Sequence, residues 1–166
     1  MIALHDFNHL PEKEALSLLH PCVALPDWAD ALALGRPYAS RAELLSTAKA
    51  LTQNWDEAAL AQALSAHPRI GEKPAGAQAE AALSRQEQGA VNDHDADLAQ
   101  ALREGNARYE ARFGRVFLIR AKGRSGEEIL QALHARLANS DAQEVRAALE
   151  QLREITLLRL EGVISE

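Results

Sequence analysis

The stretch SDAQEVRAALEQLREITLLRLEGV, residues 140–163, sets the fold class. Ser140 and Gln143 stand at the spacing of a capping box, in which a hydroxyl and an amide side chain satisfy backbone donors orphaned at a helix start. Val145, Leu149, Leu152, Ile155 and Val163 then follow the three-to-four spacing of a core-facing helical stripe. The spacing predicts one long helix over 141–161. Arg159 falls on that stripe, four residues after Ile155 and four before Val163. A guanidinium stays charged in a protein, so two readings stand. Either the helix end frays and Arg159 extends to water, or it is buried and meets an anionic partner: a Glu, an Asp or a substrate.

The same signals recur outward from this helix. Ser40-x-x-Glu43, Ser84-x-x-Glu87 and Ser125-x-x-Glu128 also read as capping boxes. Helices are expected near 8–19, 27–34, 40–53, 56–66, 77–90, 95–112, 126–138 and 141–161. Pro26, Pro37, Pro68 and Pro74 fall between them, and Gly35, Gly114 and Gly123 mark stops or turns. Composition agrees: the chain has 33 Ala and 25 Leu but only 5 Val, 6 Ile and 3 Thr. Strands draw on β-branched residues, whereas Ala and Leu lose little freedom in a helix. The expectation is an all-α, single-domain bundle of about eight helices over 1–166, with no repeat or linker to divide it.

Charge narrows the partners. Eighteen basic against 24 acidic residues leave a net charge of −6, which argues against nonspecific binding to nucleic acid or an anionic membrane. No apolar run approaches membrane-spanning length. Cys22 is the single cysteine, and the first ten residues lack the basic-then-apolar design of a signal peptide. The final Ile164-Ser165-Glu166 is not a peroxisomal signal. A cytoplasmic location is expected.

Two stretches break the helical pattern. In His67-Pro68-Arg69-Ile70-Gly71-Glu72-Lys73-Pro74-Ala75-Gly76, prolines and glycines prevent a regular helix while polar side chains are displayed. Arg115-Val116-Phe117-Leu118-Ile119-Arg120-Ala121-Lys122-Gly123 is the apolar, β-branched run, too isolated to make a sheet. It reads as an extended buried segment whose backbone groups must find side chains, water or a ligand.

Several side chains in and around these stretches suit chemistry. His67, at a helix-to-loop junction beside a stiffening proline, either caps carbonyls or exchanges protons near neutral pH. Ser84, Glu87 and Gln88 share a helix face and offer a hydroxyl, a carboxylate and an amide, although Ser84 and Glu87 also suit a cap. Gly123-Arg124-Ser125-Gly126 places backbone N–H groups at a helix start, where a cap and turn is favoured over a phosphate cradle. His5 and His9 have the spacing of two metal ligands without an evident third, and nothing beside Cys22 would lower its pKa. No metal site is expected. Trp28, Trp55, Tyr38 and Tyr109 read as packing aromatics.

Taken in order, His67-Pro68-Arg69-Ile70-Gly71-Glu72, Ser84-x-x-Glu87-Gln88-x-Ala90, Asn106-x-x-Tyr109-x-x-Arg112-Phe113-Gly114, Phe117-Leu118-Ile119, Gly123-Arg124-Ser125 and Leu158-Arg159-Leu160 resemble the 2-oxo-4-hydroxy-4-carboxy-5-ureidoimidazoline (OHCU) decarboxylase family. The resemblance covers nearly the whole chain, and the HPRIGE form is similar to its bacterial branch. It implies an all-helical bundle, usually a homodimer, that works without metal or organic cofactor. The implied reaction converts OHCU to (S)-allantoin and CO₂, the last step from urate to allantoin. The resemblance maps the catalytic pair to His67 and Glu87. It maps substrate contacts to Pro68, to Ser84, Arg85, Gln86, Glu87 and Gln88, to the backbone of Ile119, Arg120, Ala121, Lys122 and Gly123, and to Arg159. Two rivals remain: a noncatalytic helical interaction module, and an acid/base enzyme acting on another ureide or purine-ring substrate.

Overall fold

A computed structural model describes residues 1–71, 79–89 and 95–166. Glu72 to Gly76 of the proline-glycine loop, the start of the expected helix 77–90, and Ala90 lie outside the described residues. Among the described residues the chain is helical almost throughout, with nine α-helices and one pair of two-residue strands. One more helix than expected appears because the stretch expected as 8–19 divides into α1 (Leu4–His9) and α2 (Glu12–Leu19). Pro11 is the cause: Leu10 before it is extended, at ψ 146°, since the proline ring disfavours helical backbone in the preceding residue.

The chain forms two compact units. One comprises Met1–Ala63 with Arg153–Glu166, the other Leu64–Leu152. The first holds α1, α2, α3 (Pro26–Leu34), α4 (Arg41–Leu51) and most of α5 (Glu57–Leu64), with the last part of α9 (Asp141–Val163). Phe7, Leu19, Leu32, Leu44, Leu60 and Leu160 are fully buried in it. Pro26 lies inside α3 rather than before it, in the first turn, where its missing N–H has no helical partner to lose. Ser40 Oγ caps α4 by accepting from the Glu43 N–H, but the Glu43 carboxylate takes its bond from Ala39 N–H instead of Ser40. Strand β1 (Ile2–Ala3) pairs in parallel with β2 (Ile164–Ser165), and Arg41 donates to the carbonyls of Glu161 and Ile164, both at 2.8 Å.

The second unit holds α6 (Ala79–Glu87), α7 (Ala96–Phe113), α8 (Gly126–Arg136) and the first part of α9. Its core gathers Ile70, Leu98, Leu102, Tyr109, Phe117, Ile119, Ala121, Ile129 and Leu133. Helices α7 and α8 approach closely at Gly105, where a Cβ would lie 2.4 Å from Leu133 Cδ2. Ser84 is not a helix cap: it sits inside α6, 3% exposed, and Glu87 is the last residue of that helix.

Helix α8 does start at a full capping box, with Ser125 Oγ accepting from the Glu128 N–H and Glu128 Oε1 accepting from the Ser125 N–H, both at 3.2 Å. These bonds hold the Glu128 carboxyl below its ordinary value of 4.5. A folded-state value below the unfolded one means that the contribution is present above about pH 4.5 and is lost as pH falls through the lowered value. The Tm gap between wild type and Glu128→Ala is therefore expected to be open at neutral pH and to close in acid. A gap independent of pH would show that the carboxylate does not act in the cap.

Candidate functional site

Helix α5 ends at Leu64, and the His67 N–H donates to the Leu64 carbonyl, so His67 leaves the helix on a closed turn. The loop that follows is held at three successive residues. Arg69 Nε donates to Glu110 Oε1 at 2.8 Å, Asn106 Nδ2 donates to the Ile70 carbonyl at 2.9 Å, and the Gly71 N–H donates to Gln88 Oε1 at 3.1 Å. Gly71 has φ +92°, a backbone conformation that a side chain would strain. The last of these bonds joins the His67 loop to the end of the helix carrying Glu87. Within α6, Ser84 is buried and Glu87 is half-buried, as is Gln88 just past the helix end, while Arg85 and Gln86 are exposed. Gln88 thus enters the site through its acceptor oxygen, given to backbone rather than left open.

After a bend at Arg115, residues 116–121 are neither helix nor strand, mostly buried, and unpaired with either strand, as the sequence predicts for a buried run outside any sheet. Side chains supply the partners that a sheet would have given. The Leu118 carbonyl accepts from Arg136 Nη1, the Arg120 N–H donates to Gln151 Oε1 at 2.9 Å, and the Arg120 carbonyl accepts from Arg124 Nε at 2.8 Å. Ile119 and Ala121 are buried, Arg120 is half-buried, and Lys122 and Gly123 are exposed, with Gly123 at φ +81°. Because Ile70, Ile119 and Ala121 belong to one core, the His67 loop and the extended segment rest on the same apolar base. Pro68 is half-buried at the head of that loop.

Under the extended segment lies an ionic group that the sequence did not signal. Glu144 is fully buried; its Oε1 accepts from Tyr109 Oη at 2.5 Å and Arg136 Nε at 2.8 Å, and its Oε2 accepts from Asn139 Nδ2 at 3.1 Å. Burial first, and then the bond to Glu144, push the Tyr109 hydroxyl well above the ordinary tyrosine value. The expected stripe on α9 is rotated by one residue here: Glu144 faces the core and Val145 is half-buried. The sign available in the sequence was Tyr109 on the apolar face of α7, whose hydroxyl must find a partner when buried.

Arg159 belongs to the other unit. It is 3% exposed, so it does not extend to water, and Nη1 donates to the Pro21 carbonyl at 3.1 Å. The His5 and His9 rings lie 4.5 Å apart, tilted by 43°, and His9 Nδ1 is 2.7 Å from the His5 carbonyl. Among the described residues, no group of three or more His, Cys, Asp or Glu is placed to share a metal ion, and no helix is long and apolar enough to cross a membrane.

Comparison with known proteins follows the same lines. The family model for OHCU decarboxylase matches residues 8–161. A 2-oxo-4-hydroxy-4-carboxy-5-ureidoimidazoline decarboxylase of Amia calva is 33% identical over 146 residues, which cover 87% of this chain and 81% of that protein. A uric acid degradation bifunctional protein of Bacillus sp. (strain TB-90) is 23% identical over all of this chain and a third (33%) of its own length. A crystal structure of OHCU decarboxylase in the presence of (S)-allantoin superposes with a TM-score of 0.73 at 28% identity, covering 88% of this chain and 96% of that one. A match running almost end to end, on a helical frame shared with a solved decarboxylase, places this chain in the OHCU decarboxylase family.

Proposed function

We propose that the protein is a carboxy-lyase that converts OHCU to (S)-allantoin and CO₂ without a cofactor, the last step from urate to allantoin. The observation that supports this most directly is the bond from the Gly71 N–H to Gln88 Oε1, which ties the loop bearing His67 to the helix end bearing Glu87. That arrangement favours an enzyme over a noncatalytic helical module. It brings an acid/base side chain and a carboxylate onto neighbouring, fixed segments.

The chemistry asks for orientation and proton control. When the carbon–carboxylate bond breaks, its electron pair moves toward the adjoining C=N bond of the substrate, so the ring itself is the electron sink. The ring nitrogen that receives the pair takes a proton from solvent, the 4-hydroxyl gives up its proton to become a carbonyl, and the carbon bearing the ureido group takes one. His67, oriented by Glu87, receives the hydroxyl proton and delivers one to a single face of that carbon, which yields a single enantiomer. Pro68, the segment Ser84 to Gln88 and the backbone of Ile119 to Gly123 hold the ring and ureido groups. The chain works as a single domain, as a cytoplasmic homodimer.

Freshly generated OHCU, followed by ultraviolet absorbance and by circular dichroism of the allantoin formed, tests the assignment. The expected result is accelerated loss of OHCU with allantoin of the (S) hand only. Racemic allantoin at the uncatalysed rate would overturn it, and acceleration with another ureide alone would favour the second rival.

A further inference from the structure

We infer that Asn106 is a positioning residue for this site: through the Ile70 carbonyl it sets where the His67 loop stands. The inference rests on the reading of His67 as the acid/base group.

Asn106 is in the middle of α7, 4% exposed, one helical turn after Leu102 and one before Glu110. Among the described residues its side chain bonds to that loop alone: Nδ2 donates to the Ile70 carbonyl, while Oδ1 is buried with no hydrogen-bond partner there. Asparagine is a poor helix former and its buried Oδ1 lacks a donor, so its contribution to stability is limited to the single bond that satisfies the Ile70 carbonyl. What it gains is one directed bond. The Ile70 carbonyl lies three residues beyond His67, between Arg69, tied to Glu110, and Gly71, tied to Gln88. The Arg69 pair is half-exposed, with side chains 47% and 28% accessible, and contributes little to fixing the loop. The Asn106 bond is the buried one of the three. Asn106, Leu102 and Glu110 also line a small cavity of about 250 Å³ with Arg69, Ile70 and Gly71, so packing of the Ile70 side chain into the core is incomplete on that side and the Asn106 bond adds a fixed direction to it.

Asn106→Leu removes the donor and the unpaired oxygen while nearly keeping the volume. The expected result is a kcat about 10²-fold below wild type, a displaced pH–kcat profile, and shifted His67 imidazole resonances in the substrate-free protein, with the helical circular dichroism and Tm little changed. A structural role alone would lower Tm and active fraction together and leave the pH profile of the folded enzyme in place. If Asn106→Leu fails to fold, Asn106→Asp keeps the shape without the amide donor and is read in the same way. A wild-type kcat and pH profile in a folded variant overturn the inference. If wild type itself shows no activity on OHCU, the functional reading fails, and unmoved His67 resonances in the variant would overturn the positioning separately.

Discussion

His67→Asn is expected to lower kcat on OHCU by about 10²–10⁴-fold, the usual worth of a general acid/base, with the far-ultraviolet circular dichroism of wild type. Asparagine can still donate and accept hydrogen bonds, so the local frame is retained, but it has no site that exchanges protons near neutral pH. Bonds outside the imidazole hold the frame around position 67: the backbone N–H to Leu64 closes the helix, and the loop is tied at residues 69, 70 and 71. Loss should therefore appear in turnover rather than in folding. Steady-state rates with freshly made OHCU, paired with a thermal melt, measure both. An unchanged kcat would remove His67 from the mechanism.

Arg136→Met is expected to have the largest effect on stability, about 3–5 kcal/mol, because it leaves the buried Glu144 carboxylate without its cation. At about 2–4 °C per kcal/mol for a chain of this size, that is a Tm lower by roughly 6–20 °C. The Arg136 side chain is 12% exposed and the Glu144 side chain 0%, so solvent screens the pair little. Arg136 also lies over the Phe117 ring, 4.6 Å from its centroid, and bonds the Leu118 carbonyl, so its loss also frees the extended segment. Replacing both partners, Arg136→Met with Glu144→Leu, is expected to recover much of the loss, since no uncompensated charge is then buried. A melt of Arg136→Met within a few degrees of wild type would show that Glu144 does not carry a buried charge. The raised Tyr109 hydroxyl adds a pH signature: its contribution is fully present below the ordinary value of 10.0 and is lost as pH rises above it. Alkaline melts of Tyr109→Phe should be less steep than those of wild type.

Both predictions concern residues that differ in how far sequence could reach them. His67 was legible because Pro68 beside it and the glycine after Ile70 mark a place where helix must stop. Arg159 was legible for the opposite reason, as a charge set into an apolar stripe, and its burial follows the stripe. Glu144 and Asn106 obey that same logic in reverse. Each is a polar side chain on a helix face that also carries apolar residues: Glu144 escaped notice because Val145 next to it fitted the period, and Asn106 entered only as part of a motif, since nothing local names its partner. Ser84 was misread as a cap because a hydroxyl three residues before a glutamate has the same spacing at a helix start and inside one.

The sequence by itself determined that the chain is helical, where most helices begin and end, and that 67–71 and 115–121 are exceptions, since these depend on local backbone preferences and on the period of apolar residues. Tertiary structure alone decided what the exceptions touch. The loop at 69–71 takes partners from α7 and from Gln88 just past α6, and 118–120 takes Arg136 of α8 and Gln151 of α9, at separations of 17 to 41 residues, with Arg124 on the Arg120 carbonyl the local exception. A hydrogen bond needs a donor and an acceptor within about 3 Å, and no local rule fixes which of many polar side chains along the chain will be brought that near. Packing of the Leu- and Ala-rich faces makes that choice, and with it the setting of His67.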